Sequence, residues 1–239
     1  MIEKHLRMLR VRDDVSLEEE AVLLALISET REVPAKTNFI RAGQRLSSST
    51  LLLEGMMCRH KDLREGERQI TDLHLAGDFV DLHGFTLKRL DHHLMTLTPC
   101  KVAIVPHERL KALSEHHPHL SRLYWFCTNM DAASHREWEL SLGRRMAIAR
   151  VSHLLCELRI RFELVGMTNG LAFALPLTQV ELAECVGLTP VHVNRIVRQL
   201  RERGLADVRR GHVKILDLPG LETLAEFDPN YLYLEKLPR

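Results

Sequence analysis

The sequence predicts an α+β chain: an all-β region near the start, a long helix, then a helix-turn-helix followed by a β-hairpin wing. Three observations carry that expectation. Residues 178–203, TQVELAECVGLTPVHVNRIVRQLRER, put apolar residues on one side of two consecutive helical segments with Gly187 between them. From about Glu32 to Pro106, short apolar runs are cut by turn residues, the texture of a β-sandwich or barrel of about 75 residues. Finally, no glycine or proline interrupts the chain from His119 to Leu142.

Taken in order, Ser16-Leu-Glu-Glu19 is a capping box opening a short helix that reaches about Ile27. Thr50 to Met57 (TLLLEGMM) predicts a strand pair, or one strand bulged around Gly55. Residues 63–68, LREGER, form a charged hairpin turn at Gly66, and Gln69 to Leu75 alternates as a strand. Ala76-Gly77-Asp78-Phe79 is a turn, and Thr96 to Val105 a further strand. His107 to Glu115 is a short helix, and Pro118 restarts the chain into the long one. There Leu120, Leu123, Cys127, Met130 and Ser134 recur at three- and four-residue spacing, the seam expected of a helix that pairs with a second copy. The alternative is a long helix lying on its own barrel.

Ser141 to Arg145 is expected to be a hinge, Ala147 to Leu164 a helix, and Val165 to Ala174 a loop. Leu205–Val208 and Val213–Leu216 can pair around Arg209-Arg210-Gly211 as a wing with a basic tip. The final stretch reads as a short helix and an apolar extension that packs on the other domain. The expected division is 1–117 for the β domain, 118–143 for the long helix and hinge, and 144–239 for the helix-turn-helix domain with its tail.

The helix-turn-helix is specified residue by residue. Leu182 and Val186 share a face with Ala183, whose small size lets the two helices cross closely. Gly187 supplies the left-handed turn that other residues adopt only with strain. Thr189 caps the second helix and Pro190 occupies its first position, where no N–H bond is lost. Leu188, Val193 and Val197 supply the buried side. Val191, His192, Asn194, Arg195 and Arg198 are left to face outward, toward a DNA major groove.

The formal net charge is only +1, but it is unevenly spread. From Leu140 to Ile215 there are twelve basic residues against six acidic ones, which places a basic surface on the C-terminal part. No apolar run approaches the ~18–20 residues of a membrane span. The first residues, MIEKHLRMLRVRDD, lack the apolar core of a signal peptide, so a cytoplasmic protein without a membrane partner is expected. Five dispersed cysteines without a CxxC pair suggest free thiols. Cys185, inside the first helix of the DNA motif, is either a small packing residue or an oxidisable thiol.

In this order of parts, and in LLLEGMMCRHKDLREGERQITDLHLAGDF and ELAECVGLTPVHVNRIVRQLRERGL, the chain resembles the Crp/Fnr family of bacterial transcription regulators over nearly its full length. The resemblance implies a β-roll sensor domain (a jelly roll like that of cyclic-nucleotide-binding domains), a dimerisation helix and a winged helix-turn-helix. It also implies a homodimer on a pseudo-palindromic site in double-stranded DNA, with half-sites ~34 Å apart, with RNA polymerase and a small-molecule effector as further partners. Arg195 matches the family's recognition-helix arginine, and arginine bidentate to guanine is the commonest specific base contact. His192 and Asn194 are candidate base contacts, and Val191 is placed for a thymine methyl. Thr178 and Thr189, at the helix starts, and Arg198, Arg209 and Arg210 are candidate phosphate contacts, and Gln179 is a further DNA-binding candidate.

The departures from the family also carry expectations. Cyclic-AMP-binding members carry Gly-Glu in the turn and Arg-Ser-Ala beyond it. Here Gly77-Asp78 is followed by GFTLKRLDHHLM, in which Arg89 is the one nearby candidate for a phosphate. Ser134 and His135 fall roughly where the long helix of family members meets ligand. Cyclic AMP is therefore not the expected effector. Residues 1–57 contain no cysteine, which excludes an iron–sulfur cluster held by an N-terminal cysteine group. Fourteen histidines, including His92-His93 and His116-His117-Pro-His119, keep open a second reading: a His-rich β-barrel that binds metal or haem, as an enzyme or a redox or gas sensor. No paired Cys/His ligand set, HExxH spacing or paired catalytic carboxylates accompany them, so neither a metal site nor an enzyme is expected.

Overall fold

Two short helices open the chain in this computed structural model, which describes every residue from Met1 to Arg239. They are α1 (Glu3–Arg10) and α2 (Leu17–Ala25). The capping box at α2 is formed: Glu19 N donates to Ser16 Oγ at 3.1 Å, and Ser16 N donates to Glu19 Oε2 at 2.9 Å. The β domain follows as β1 (Glu29–Val33), β2 (Asn38–Ile40), β3 (Ser48–Glu54), β4 (Met56–Asp62), β5 (Arg68–Leu75), the one-turn helix α3 (Gly84–Leu87), β6 (His93–Thr96) and β7 (Cys100–Pro106). One sheet has the order β1-β7-β3, the other β2-β6-β4-β5.

Period-two alternation explains the density of apolar residues in β3 and β7. Leu52, Val102 and Ile104 enter a core shared with Met57, Val80, Leu90 and Leu94. Their neighbours Leu51, Leu53, Ala103 and Val105 point the other way and pack with Leu6, Leu9, Leu23, Leu120 and Leu123 of the surrounding helices. A sheet covered on both faces reads as a continuous apolar run.

Gly55 separates β3 from β4 with φ +91°, and a Cβ there would lie 2.4 Å from Pro99 O, so TLLLEGMM is a strand pair. The stretch Thr96 to Val105 is not one strand. β6 ends at Thr96 and β7 begins at Cys100, because Pro99 in the connecting turn cannot donate to a ladder.

Helix α4 (His107–His116) leads to α5 (Pro118–Arg144). The seam expected to pair with a second copy is, in its first half, core: Leu120 and Leu123 are fully buried, with Cys127 packed against the same cluster. One exposed stripe of α5 is instead Arg122, Trp125, Asn129, Ala132, Arg136 and Leu140. The expected hinge also moves. Ser141 to Arg144 remain helical, and the break falls at Arg145-Met146.

The remainder comprises α6 (Ala147–Leu164), β8 (Thr168–Asn169), β9 (Ala172–Ala174), α7 (Gln179–Val186), α8 (Pro190–Glu202), β10 (Ala206–Arg209), β11 (His212–Ile215), α9 (Leu218–Ala225) and a 3-10 turn, Pro229–Leu232. The segment read as a loop contains the hairpin β8–β9, which extends the wing into a four-stranded sheet, β10-β11-β9-β8.

The chain divides into two compact units. The first holds Met1–Lys61, Asp72–Ala133 and Tyr233–Arg239; the second holds Asp62–Thr71 and Ser134–Leu232. In the first, the last residues pack beside α1. Leu237 N donates to Arg12 O at 3.0 Å, Arg239 N donates to Asp13 Oδ2 at 2.6 Å, and the Arg239 guanidinium lies 4.1 Å from the Phe126 ring centre. In the second, fully buried Glu157 on α6 accepts from Trp138 Nε1 at 3.0 Å, Tyr231 OH at 2.8 Å and Arg161 Nη1 at 3.1 Å. These donors answer the carboxylate in the interior, where it has little water. No helix is long and apolar enough to cross a membrane.

Candidate nucleic-acid interface

The start of α7 is set by a second capping box. Glu181 N donates to Thr178 Oγ1 at 3.2 Å and Thr178 N donates to Glu181 Oε2 at 2.8 Å. The Thr178 hydroxyl also lies 2.9 Å from Glu181 Oε2, so it is committed within the cap, while Gln179 beside it is exposed. Leu182, Ala183, Cys185 and Val186 are buried, which makes Cys185 a packing residue. The helix stops at Gly187, whose φ of +62° is the left-handed C-terminal conformation.

Thr189 caps α8, its Oγ1 accepting from His192 N at 3.3 Å, and Pro190 takes the first helical position. Val193, Ile196 and Leu200 form the buried side of α8. Val197, expected there, is only half-buried; Ile196 and Leu200 complete the period instead.

The opposite side of α8 is the candidate reading face. Val191 is 82% exposed, and Asn194, Arg195 and Arg198 are exposed beside it, whereas His192 is half-buried. Arg195 has no intramolecular partner. Arg198 Nε donates to Glu202 Oε1 at 2.7 Å, an i,i+4 pair. On the wing, Arg210 and Gly211 form the tip with φ of +52° and +76°, the left-handed pair that a tight two-residue hairpin requires. Arg210 is exposed, and Arg209 Nε donates to Asp207 Oδ2 at 2.9 Å. Three further basic positions on these elements were not singled out from the sequence: Arg201 on α8, and His212 and Lys214 on β11. The signal was present, since exposed His212 and Lys214 alternate with buried Val213 and Ile215.

In the first unit the candidate ligand residues have other neighbours. Gly77, φ +108°, lies against α1: a Cβ there would sit 3.0 Å from Lys4 C, and its carbonyl accepts from His5 Nδ1 at 2.8 Å. The Asp78 carboxylate accepts from Leu75 N at 2.8 Å, closing the turn. Arg89 is exposed and bridges to Arg45 through the backbone. Ser134 and His135 are half-buried on α5.

A second buried arginine of this unit, besides Arg12, is Arg59 on β4. It donates from Nη1 and Nη2 to Asp131 Oδ2, each at 3.2 Å. Asp81 is fully buried and accepts from Thr50 N at 2.5 Å; burial pushes its carboxyl up to about 7, although the Thr50 bonds and Arg59 oppose the shift. His92, with Nδ1 2.9 Å from Asp91 Oδ1, is lowered to about 4 by burial and by Arg59. His60 and His93 stack with ring centres 5.0 Å apart.

A β-roll joined through a long helix to a winged helix-turn-helix, with an exposed basic reading helix, defines a DNA-binding regulator with an attached sensor-type domain. Comparison with known proteins agrees. Residues 30–117 match the cyclic nucleotide-binding domain, and residues 149–224 match the Crp-like helix-turn-helix domain. The transcriptional activator protein FnrL of Cereibacter sphaeroides is 30% identical over 210 residues, covering 85% of this chain and 83% of that protein. The transcriptional activator protein FnrA of Stutzerimonas stutzeri is 26% identical, covering 88% of this chain and 86% of that protein. In fold, the chain is similar to FixK2 from Bradyrhizobium japonicum, with a TM-score of 0.77 and 21% identity over 83% of this chain and 98% of that one. The chain belongs to the Crp/Fnr family of transcriptional regulators, whose members named here are regulators and not enzymes.

Proposed function

We propose that this chain binds a pseudo-palindromic duplex site as a homodimer, reads bases with α8, and is controlled neither by cyclic AMP nor by an iron–sulfur cluster. The observation that carries the reading is the outer face of α8, where an unpaired Arg195 stands beside Asn194 and Val191. In this reading Arg195, Asn194 and His192 contact base edges and Val191 a thymine methyl. Arg198, Arg209, Arg210, Thr189, Gln179 and the backbone at Thr178 meet phosphate and fix the register.

Dimerisation is supported by α5, where Trp125 is 68% exposed on a face that continues through Asn129, Ala132, Arg136 and Leu140 at three- and four-residue spacing. Residues 1–117 then serve sensing, 118–143 pairing and 144–239 reading, in the cytoplasm, with RNA polymerase as a further partner.

Against cyclic AMP, the residues do not fit a buried phosphate. Arg89 is on the surface, and the Arg59 guanidinium is already engaged by Asp131. Against a cluster, Cys58, Cys100, Cys156 and Cys185 are buried singly along the chain, and burial pushes the half-buried Cys127 thiol up to about 11, unfavourable for a thiolate ligand. A different small-molecule effector remains compatible with the sensor domain.

The test is a mobility shift on operators selected from a random duplex pool. Arg195→Ala should cost ~1–3 kcal/mol of specific binding and relax base preference at one position. Unchanged affinity and preference would remove Arg195 from the reading role. Specific binding should also fall steeply with salt.

A further inference from the structure

The last carbonyls of an α-helix have no partner within the helix. In α7, Ala183 O is satisfied by the turn itself, accepting from Gly187 N and from Leu188 N at 3.1 Å. Two of the next three are met by side chains from other elements. Gln69 Nε2 donates to Glu184 O at 2.5 Å and to Ile70 O of its own strand at 2.9 Å, with Cys185 O 3.4 Å away; Arg150 Nη1 donates to Val186 O at 3.2 Å. The same two side chains flank the turn, since a Cβ on Gly187 would be 3.7 Å from both Gln69 Oε1 and Arg150 Nη1. Arg150 comes from α6, beside the motif in sequence. Gln69 comes from β5, more than a hundred residues away along the chain, on a strand that continues without interruption through Leu75.

We propose that Gln69 is a positioning residue for DNA reading. By donating to Glu184 O in the last turn of α7 it fixes the turn at Gly187, and with it the direction in which α8 leaves. Because β5 is one continuous strand, a change in its twist or register is delivered to the helix-turn-helix through this side chain. Gln69 touches neither bases nor phosphates in this role. The inference rests on the DNA reading proposed above for its functional consequence, but the cap itself is measurable without DNA.

The experiment uses the full chain with three variants. Gln69→Met keeps an unbranched side chain but removes the donor, Gln69→Lys keeps a donor, and Gln69→Ala removes both. The Met variant should weaken operator binding by about 3- to 10-fold, the net worth of one hydrogen bond. Binding to unrelated duplex DNA should be unchanged, and amide exchange in the free protein should accelerate at residues 186–190 with global Tm unaltered. The Lys variant should recover most of the operator affinity. Unchanged exchange and affinity in the Met variant would overturn the proposal, as would a Lys variant no better than Met. A wild-type chain that selects no operator would instead overturn the DNA reading and leave the exchange result to judge the cap.

Discussion

Arg195 and Arg59 are one residue type used in opposite ways. Arg195 stands on the outer face of α8 with no partner, on a helix whose other side is held by Val193, Ile196 and Leu200. Arg59 lies on β4 with its side chain 6% exposed, its charge answered by Asp131 and, at 3.5 Å, the Val80 carbonyl. The first is free to meet a ligand, as proposed above; the second is consumed in holding the roll to its helix. An exposed, unpaired charge costs little in stability, whereas a buried one must be matched inside the fold.

The comparison can be broken most directly at Arg59. Arg59→Ala removes the guanidinium from Asp131, which keeps His83 Nδ1 at 3.7 Å, and denaturant unfolding should show a loss of about 2 kcal/mol. Arg195→Ala should change stability by less than ~0.5 kcal/mol. Equal effects from the two would end the contrast.

Asp81 sharpens it through pH. Its carboxyl titrates at about 7 in the fold, above its ordinary value of 3.8, because it is buried. Between those values the native state binds more protons than the unfolded chain, so stability falls as pH rises through this window, by up to ~1.4 kcal/mol per unit. Asp81→Asn should flatten that slope, measured as Tm against pH.

Gly187→Ala puts a side chain on a left-handed residue, 3.0 Å from Leu142 Cδ2, and should cost ~1–2 kcal/mol in the second unit. A smaller effect is expected at His119, whose Nδ1 lies 2.5 Å from Glu19 Oε1 and Nε2 3.1 Å from Asp13 Oδ2. The Glu19 bond, then that from Asp13, raises its pKa against burial. Its contribution is therefore full below about 6.5 and is lost as pH rises through the folded value. The two carboxylates oppose it at the acid end: burial raises them, but bonds from His119 and the backbone leave both lowered, so their share is lost as pH falls. His119→Ala should cost under ~1 kcal/mol and remove both edges of this window.

The helix-turn-helix was legible because its determinants are local. Thr178, Gly187, Thr189 and Pro190 each act within a few residues of their own position. The capping box at Ser16 was legible for the same reason. On α5 the periodicity is real but ambiguous: Leu120-Leu123-Cys127 and Trp125-Asn129-Ala132 both recur at helical spacing, and only packing tells which stripe meets the chain's own core. Pro99 breaks the strand from inside an apolar run whose flanks, Met95 and Cys100, both read as strand. The β8–β9 hairpin is too short to alternate. The pairings Arg59–Asp131, Thr50–Asp81 and Gln69–Glu184 join residues far apart in the chain, and no local pattern announces them.

Arg198 and Arg209 come to the proposed complex already holding Glu202 and Asp207. Each carboxylate behaves as a tethered competitor for the phosphate its arginine would grip, present at a high effective concentration. In the proposed complex each arginine that turns to phosphate gives up its carboxylate, so both exchanges weaken backbone contacts alike on any duplex and leave discrimination to the base edges.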